Sequence, residues 1–316
     1  MTMTLDYRLP KYGLTKNQLD TIARFNGLKN WQRRKLHKRM SGGPAGVHVY
    51  KYLPFDPADA FRLKQMRDLV VESALYLSAP SDFNDPYDFR ARILVNENAE
   101  HVRKHFEKSA RRLLNEGEDP IPHVLGKSKK VDVLASRAMA KLIANPDFVT
   151  SSFFAARDKN GVFCFSEDPR GILMWAHYAW GHKGICLQFD VSRDPGVLMF
   201  SHRVAYRDEL PTIIWPVKGN ELVDKVIFSK GSAWKSEKEV RYVSVRMVRD
   251  SLHFDGCALR GIILGSRFPS KNLSVINDLI GERLRRGLPM PALYQAREDQ
   301  ENYGIFIARH EARVSS

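Results

Sequence analysis

Phe163-Cys-Phe-Ser-Glu-Asp-Pro-Arg-Gly-Ile-Leu-Met-Trp-Ala-His-Tyr-Ala-Trp-Gly-His-Lys-Gly-Ile-Cys-Leu-Gln-Phe189 is the stretch on which the fold turns. Residues 162–165 form a short apolar run with β-branched and aromatic members, the composition of a buried strand. Ser166 or Asp168 is placed to cap a following helix, and Pro169 suits its first turn, where a missing N–H costs nothing. Gly181 and Gly184 end that helix, and residues 185–189 resume an apolar strand. The reading is strand, short helix, strand, with the helix packed on the sheet. That helix and its turn concentrate Trp175, His177, Tyr178, Trp180, His182 and Lys183. At ~100° per residue Met174, Trp175 and Tyr178 share one side, so Trp175 is either a core anchor or a platform for a ligand. His177 and His182 lie five apart rather than four and diverge on a continuous helix, so no metal site is expected.

Upstream, residues 47–52 alternate, with His48, Tyr50 and Tyr52 on one face and Val47 and Val49 on the other. A helix over 58–72 and a strand over 74–78 follow. Phe83-Asn-Asp-Pro-Tyr-Asp88 is a turn, because Asn and Asp bond to nearby backbone and Pro86 fixes the chain. Ala99, Val102, Phe106, Ala110 and Leu113 keep helical spacing, and 131–145 forms a second helix. The pair reads as a helical insertion near 96–146. Downstream, residues 197–206 have strand character, 220–228 helical character, and Lys230-Gly-Ser-Ala-Trp-Lys-Ser-Glu-Lys-Glu-Val-Arg-Tyr-Val-Ser-Val245 enters an alternating strand that includes Glu237 and Lys238. On that strand Glu237, Glu239 and Arg241 share one face. Residues 261–265 are a buried strand, 271–286 a helix, and 292–296 with 304–308 two closing strands. Helices and strands are interspersed irregularly and no repeat is present, which predicts an α+β fold with a mixed, mainly antiparallel sheet and flanking helices.

At 316 residues, with 43% hydrophobic and 27% charged residues, the chain is long enough to bury a full core. No apolar run is long enough to span a bilayer and no signal-peptide core is present, so a cytoplasmic protein without membrane contact is expected. The three cysteines, Cys164, Cys186 and Cys257, sit singly among apolar residues and read as reduced, buried thiols. The net charge of +14 is uneven: residues 1–46 carry ten Lys and Arg against two Asp, +8 in all. Two short helices and the linker Ser41-Gly-Gly-Pro-Ala-Gly46 are expected there. Such a segment either contacts nucleic-acid phosphates or docks on the main body with its charges in water. The expected organisation is a basic segment over 1–46, an α+β domain over 47–309, and a tail over 310–316.

Four pieces together resemble a bacterial family of unknown function related to abortive-infection, phage-resistance proteins. They are Tyr50-Lys-Tyr52; Leu75-Tyr-Leu-Ser78 with Phe83-Asn-Asp-Pro-Tyr-Asp88; Trp175-Ala-His-Tyr178 with His182-Lys-Gly184; and Trp234 with Glu237-Lys-Glu239-Val-Arg241. The resemblance covers roughly residues 47–309 and marks Asn84, Asp85, Trp175, Tyr178, His182 and Arg241 as candidate ligand-binding residues. A looser resemblance is to ADP-ribosyltransferases, whose site lies on an early strand, an aromatic station and a late strand carrying Glu-x-Glu. It implies Tyr50 and Tyr52 at the first station, although the Arg expected there is absent, and Glu237 and Glu239 at the last.

The chemistry implied is cleavage of a nicotinamide–ribose bond. A carboxylate stabilises the oxocarbenium ion that develops, a second orients or deprotonates the acceptor, and flat aromatic rings stack on the bases. Glu239, Glu237 and His177 are the catalytic candidates, NAD is the expected substrate, and no bound cofactor is expected. The same Glu-x-Glu is also what an ordinary strand face looks like, with Arg241 pairing Glu239. Two other classes stay open: a non-catalytic nucleic-acid-binding or sensing protein, and a nuclease using Glu237, Glu239 and Asp85 on a divalent ion.

Overall fold

A computed structural model describes Leu28, Gln32 and residues 47–310 except 118–119, 121–124, 146, 218–222 and 245–246. The helices expected within 1–46 and the tail over 311–316 lie outside the described residues. The chain divides into two compact units, one built from residues 1–84, 159–206 and 232–316 and the other from 85–158 and 207–231.

The first unit is built on an eight-stranded sheet. Its strands and their partners are β1 (His48–Leu53), β2 (Ala74–Leu77), β3 (Gly161–Ser166), β4 (Ile185–Asp190), β5 (His202–Arg203), β6 (Glu239–Ser244), β7 (Asp250–His253), β8 (Leu259–Leu264), β9 (Ala292–Glu298) and β10 (Ile305–Arg309). The large sheet runs β10-β9-β8-β4-β1-β3-β6-β5, and β2 pairs separately with β7. All neighbours are antiparallel except β8 with β9. The α+β fold with a mixed, mainly antiparallel sheet is as the residue pattern predicts. Both strands of the central stretch are present, and β1 lies between them: Tyr50 stands opposite Ser166 on one side and Gln188 on the other.

Period-two alternation gives this sheet two different faces. Val49, Leu53, Phe163, Phe165, Leu187, Val240 and Ile262 contribute to one large core that also holds Leu69, Val70, Ile276 and Ile280. Helices α1 (Ala60–Arg67) and α3 (Leu273–Arg285) supply part of that layer. On the other face Tyr52, Trp175, Cys186, Ile263 and Ala296 form a smaller cluster under α2 (Ile172–Tyr178).

Several local expectations are corrected. The helix expected over 58–72 is α-helical only to Arg67 and continues as a π-turn over Asp68–Glu72. Neither Ser166 nor Asp168 caps α2: Gly171 occupies the cap without a side-chain bond. Both candidates are engaged elsewhere, Ser166 Oγ with the Glu237 carbonyl at 2.6 Å and Asp168 Oδ1 with the Arg170 N–H at 2.9 Å. Residues 197–206 are mostly not strand, since a 3₁₀ turn at Leu198–Phe200 precedes only His202–Arg203 and Ala205–Arg207. The described part of the helix expected over 220–228 is a π-turn, Val223–Ile227.

In the second unit the strand Arg92–Val95 pairs in parallel with Thr212–Trp215, a pairing that no alternation had suggested. Helices Ala99–Asn115 and Lys127–Ala144 are those expected, and a third, Phe148–Arg157, follows. Val102, Phe106 and Ala135 form its core with Phe148 and Trp215 packed against them. Asp88 and Lys230, 1% and 5% exposed, face each other at 3.7 Å.

Candidate functional site

The site-bearing elements are held by close backbone approaches that only glycine permits. A Cβ on Gly184 would lie 2.2 Å from the Leu53 carbonyl oxygen, and one on Gly265 2.1 Å from that of His182. The turn after α2 passes through Trp180, Gly181 and His182, all with positive φ. Its backbone is fixed by the His182 N–H donating to the Trp175 carbonyl and the Arg267 N–H donating to that of His182.

Those contacts decide the role of the aromatic residues. Trp175 is fully buried, donates from Nε1 to the Pro169 carbonyl at 2.8 Å, and meets Tyr52 edge-on at 5.1 Å. Tyr52 is buried and donates from its hydroxyl to the Asp168 carbonyl at 2.6 Å, and burial pushes its phenol well above the ordinary range. Both are core, so neither is a ligand platform. The His182 ring stacks on Trp175 at 6.4 Å, and its buried Nδ1 has no hydrogen-bond partner among the described residues. Burial, reinforced by Arg267, lowers the proton affinity of this ring.

Glu237 and Glu239 are both buried, yet they do not lie together on one strand. Glu237 ends a 3₁₀ turn (Ser232–Glu237), Lys238 adopts φ +46°, and β6 begins at Glu239. The Glu-x-Glu pattern is thus a turn followed by a strand, and its alternation is broken at the middle residue. Tyr178 donates to Glu237 Oε1 at 2.5 Å. Glu239 is gripped by Arg241, Nε at 2.6 Å and Nη2 at 3.0 Å, and Arg241 is itself 0% exposed. The Glu239 N–H donates to the Tyr206 hydroxyl. The in-strand pairing of Glu239 with Arg241 is the arrangement present. Beside them the Cys164 thiol is pushed up by burial and by Glu239, and Cys186 by burial, so neither is an activated nucleophile.

Next to this polar assembly an open cleft of about 520 Å³ is lined by Tyr50, Asp168, Arg170, Lys238, Phe306 and Ile307, among others. Asp168 holds Lys238 at 2.8 Å and Arg170 at 3.8 Å, with both cations more than half exposed. Burial alone would raise the Asp168 carboxyl, but the Lys238 ammonium and the Arg170 N–H hold it below the usual range. The Tyr50 hydroxyl accepts from Gln188 Nε2 at 3.3 Å, and burial raises its phenol. Of the candidate residues Tyr50 reaches this cleft, while Tyr178, Glu237, Glu239 and Arg241 form the network beside it.

His177 stays apart: it is exposed, and among the described residues no hydrogen bond or ion pair reaches its ring. Asn84 is exposed at the end of its unit's first segment. Asp85 opens the second unit and bonds the Tyr87 N–H at 2.9 Å, the turn-forming role its sequence context predicts. Asp168, Arg170, Lys238 and Phe306 were missed. Only Asp168-Pro-Arg-Gly171 carried a signal, and it reads as a helix start. Among the described residues no group of three or more His, Cys, Asp or Glu side chains is placed to hold a metal ion. No helix among them is long and apolar enough to cross a membrane. The chain matches no protein-family model, no curated protein and no solved structure in the three comparisons made.

Proposed function

We propose that the first unit binds a nucleotide-like ligand in the cleft of Tyr50, Asp168, Arg170 and Lys238. One observation carries this reading: two exposed cations and two aromatic rings, Tyr50 and Phe306, line one open cleft beside a buried carboxylate network. Exposed ion pairs such as Lys238–Asp168 contribute little stability, so an arriving phosphate can take over both cations at small cost. Rings at the same cleft offer a stacking surface for a base.

Within that reading the enzymatic activity is glycosyl-bond chemistry on NAD, by transfer or hydrolysis, in the phage-defence setting that the sequence resemblance supplies. Glu237 is the better of the two carboxylates for matching an oxocarbenium ion. The Arg241 guanidinium binds both oxygens of Glu239, which leaves that carboxylate little free to answer a new positive charge, and Tyr178 orients Glu237 through one oxygen. The experiment is incubation with labelled NAD, separating protein-bound label, nucleic-acid-bound label and free ADP-ribose. Wild-type protein should release or transfer label. Glu237→Gln should slow this about 100-fold, or about 2.7 kcal/mol, with little change in NAD affinity. Failure of NAD, ADP-ribose and ATP alike to bind at millimolar concentration overturns the proposal.

The charge of residues 1–46 favours a second, non-catalytic reading as a nucleic-acid-binding protein. Its signature is affinity that falls steeply with salt, because each neutralised phosphate releases counterions. Deleting residues 1–46 should flatten that slope, and unchanged binding by the truncated protein excludes the role.

A further inference from the structure

The first unit holds another cavity, reached from the opposite face of the sheet. It encloses about 320 Å³ between α1 and strands β1, β2 and β3. Its walls are apolar and rich in rings, with Phe61, Tyr76, Phe83 and Phe163 beside Leu53 and Leu69. Into this space projects Lys51, which alternation places opposite Tyr50 and Tyr52. Its ammonium donates to the Cys164 carbonyl at 3.0 Å and lies 4.4 Å from the Phe163 ring centre. Three donors therefore have one acceptor, and among the described residues no carboxylate is in ion-pair contact with the charge. Burial lowers the proton affinity of the amine, against the weaker opposing pull of the Glu239 and Glu237 carboxylates. The same cavity is lined by Gln65, whose buried Oε1 has no donor among the described residues. At the rim Lys64 pairs with Asp68 at 2.5 Å, so the Asp68 carboxylate is already engaged.

A cation with no carboxylate in ion-pair contact and an acceptor without a donor each carry a desolvation cost that a suitable guest removes. We propose that this cavity is a binding site for a small aromatic carboxylate. The carboxylate pairs with Lys51, the ring lies among the aromatic walls, and a hydroxyl or amine on the far side donates to Gln65. An inorganic anion would leave the apolar walls uncovered, and an apolar amine would be repelled by Lys51. This site shares no lining residue with the nucleotide cleft and stands or falls apart from it.

The test is titration calorimetry on the full chain with 4-hydroxyphenylacetate, phenylacetate and the uncharged 2-(4-hydroxyphenyl)ethanol. The hydroxylated acid should bind about tenfold or more tightly than the alcohol, since only it pairs with the partly buried Lys51 ammonium. Lys51→Met should abolish that difference while keeping the alcohol's affinity. Gln65→Leu should abolish the preference for 4-hydroxyphenylacetate over phenylacetate and keep the preference for charge. Gln65 is only half-buried on a helix, so its variant still reads the site should Lys51→Met fail to fold. Absence of acid binding at millimolar concentration, equal affinity for acid and alcohol, or an undiminished charge preference in Lys51→Met overturns the proposal.

Discussion

The two faces of the large sheet handle buried charge in opposite ways. On the core face, charges are solvated by backbone. Arg283 donates to the carbonyls of Val70, Gly256 and Pro289, Lys51 to that of Cys164, and Asp194 accepts from the N–H groups of Gly196, Val197 and Leu198. Under α2, side chains answer one another: Glu239 with Arg241, Glu237 with Tyr178, and Asp168 with Lys238. Backbone dipoles are fixed by the fold and cannot be exchanged, so the first pattern is rigid. Side-chain partners can rearrange, so in the second pattern a ligand can take over a partner, as at Asp168–Lys238. In the first a ligand can only add to what the backbone leaves unused, as at Lys51, whose ammonium has one carbonyl acceptor for three donors.

Removing one member of a buried pair tests this difference most severely. Arg241→Met should destabilise the protein by about 3–5 kcal/mol, because Glu239 is left charged in a site closed to water. Combining it with Glu239→Gln should recover most of that loss. Denaturant unfolding of both variants measures this, and a double variant no better than the single would mean that the pair is not the source of the cost.

Trp175→Ala should cost a similar ~3–5 kcal/mol, as for any large ring removed from a packed core. Trp175→Phe should cost less, keeping the contact with Tyr52 but losing the bond to Pro169. If Trp175 is instead a ligand platform, Trp175→Ala will spare stability and weaken nucleotide binding, which reverses the core assignment of this cluster.

On the core face, burial raises the Asp194 carboxyl to about 6, against the pull of its backbone N–H partners, with Asp255 adding to the rise. A folded-state value above the unfolded one means stability that is complete below about pH 4 and is lost as pH climbs through 6. The loss amounts to about 3 kcal/mol. Thermal unfolding between pH 4 and pH 7 should show this decline in the wild type and a flatter profile in Asp194→Asn. Parallel profiles would show that the backbone N–H groups hold Asp194 ionised throughout. The smallest effect is expected for Tyr178→Phe, which removes one hydrogen bond to a carboxylate and should cost about 1.5 kcal/mol. Its value lies in pairing with Glu237→Gln: coupling in a double-mutant cycle would establish the Tyr178–Glu237 contact in solution.

Much of the first unit was legible in its residues because its strands carry period-two patterns or unbroken apolar runs, as in Tyr50–Tyr52 and residues 185–189. The parallel pair Arg92–Val95 and Thr212–Trp215 was not, since neither short segment alternates clearly and their pairing spans more than a hundred residues. Glu237 and Glu239 were misplaced on one face because a side-chain pattern carries no sign of the left-handed turn at Lys238. Lys51 was read only as the middle of Tyr50-Lys-Tyr52. That its stem crosses into an apolar layer depends on which face of β1 the core selects.

Local chemistry in the sequence by itself determined the strand–helix–strand around Trp175, the turn at Phe83–Asp88, the α+β class and the uneven charge. Only the tertiary structure decided the long-range partners: that Glu239 pairs with Arg241, that Asp168 meets Lys238, and that the Lys51 ammonium bonds the Cys164 carbonyl. Periodicity is a property of neighbouring residues and survives in the linear chain. The partner of a buried charge is chosen by which strands lie side by side, and that is settled only when the sheet closes.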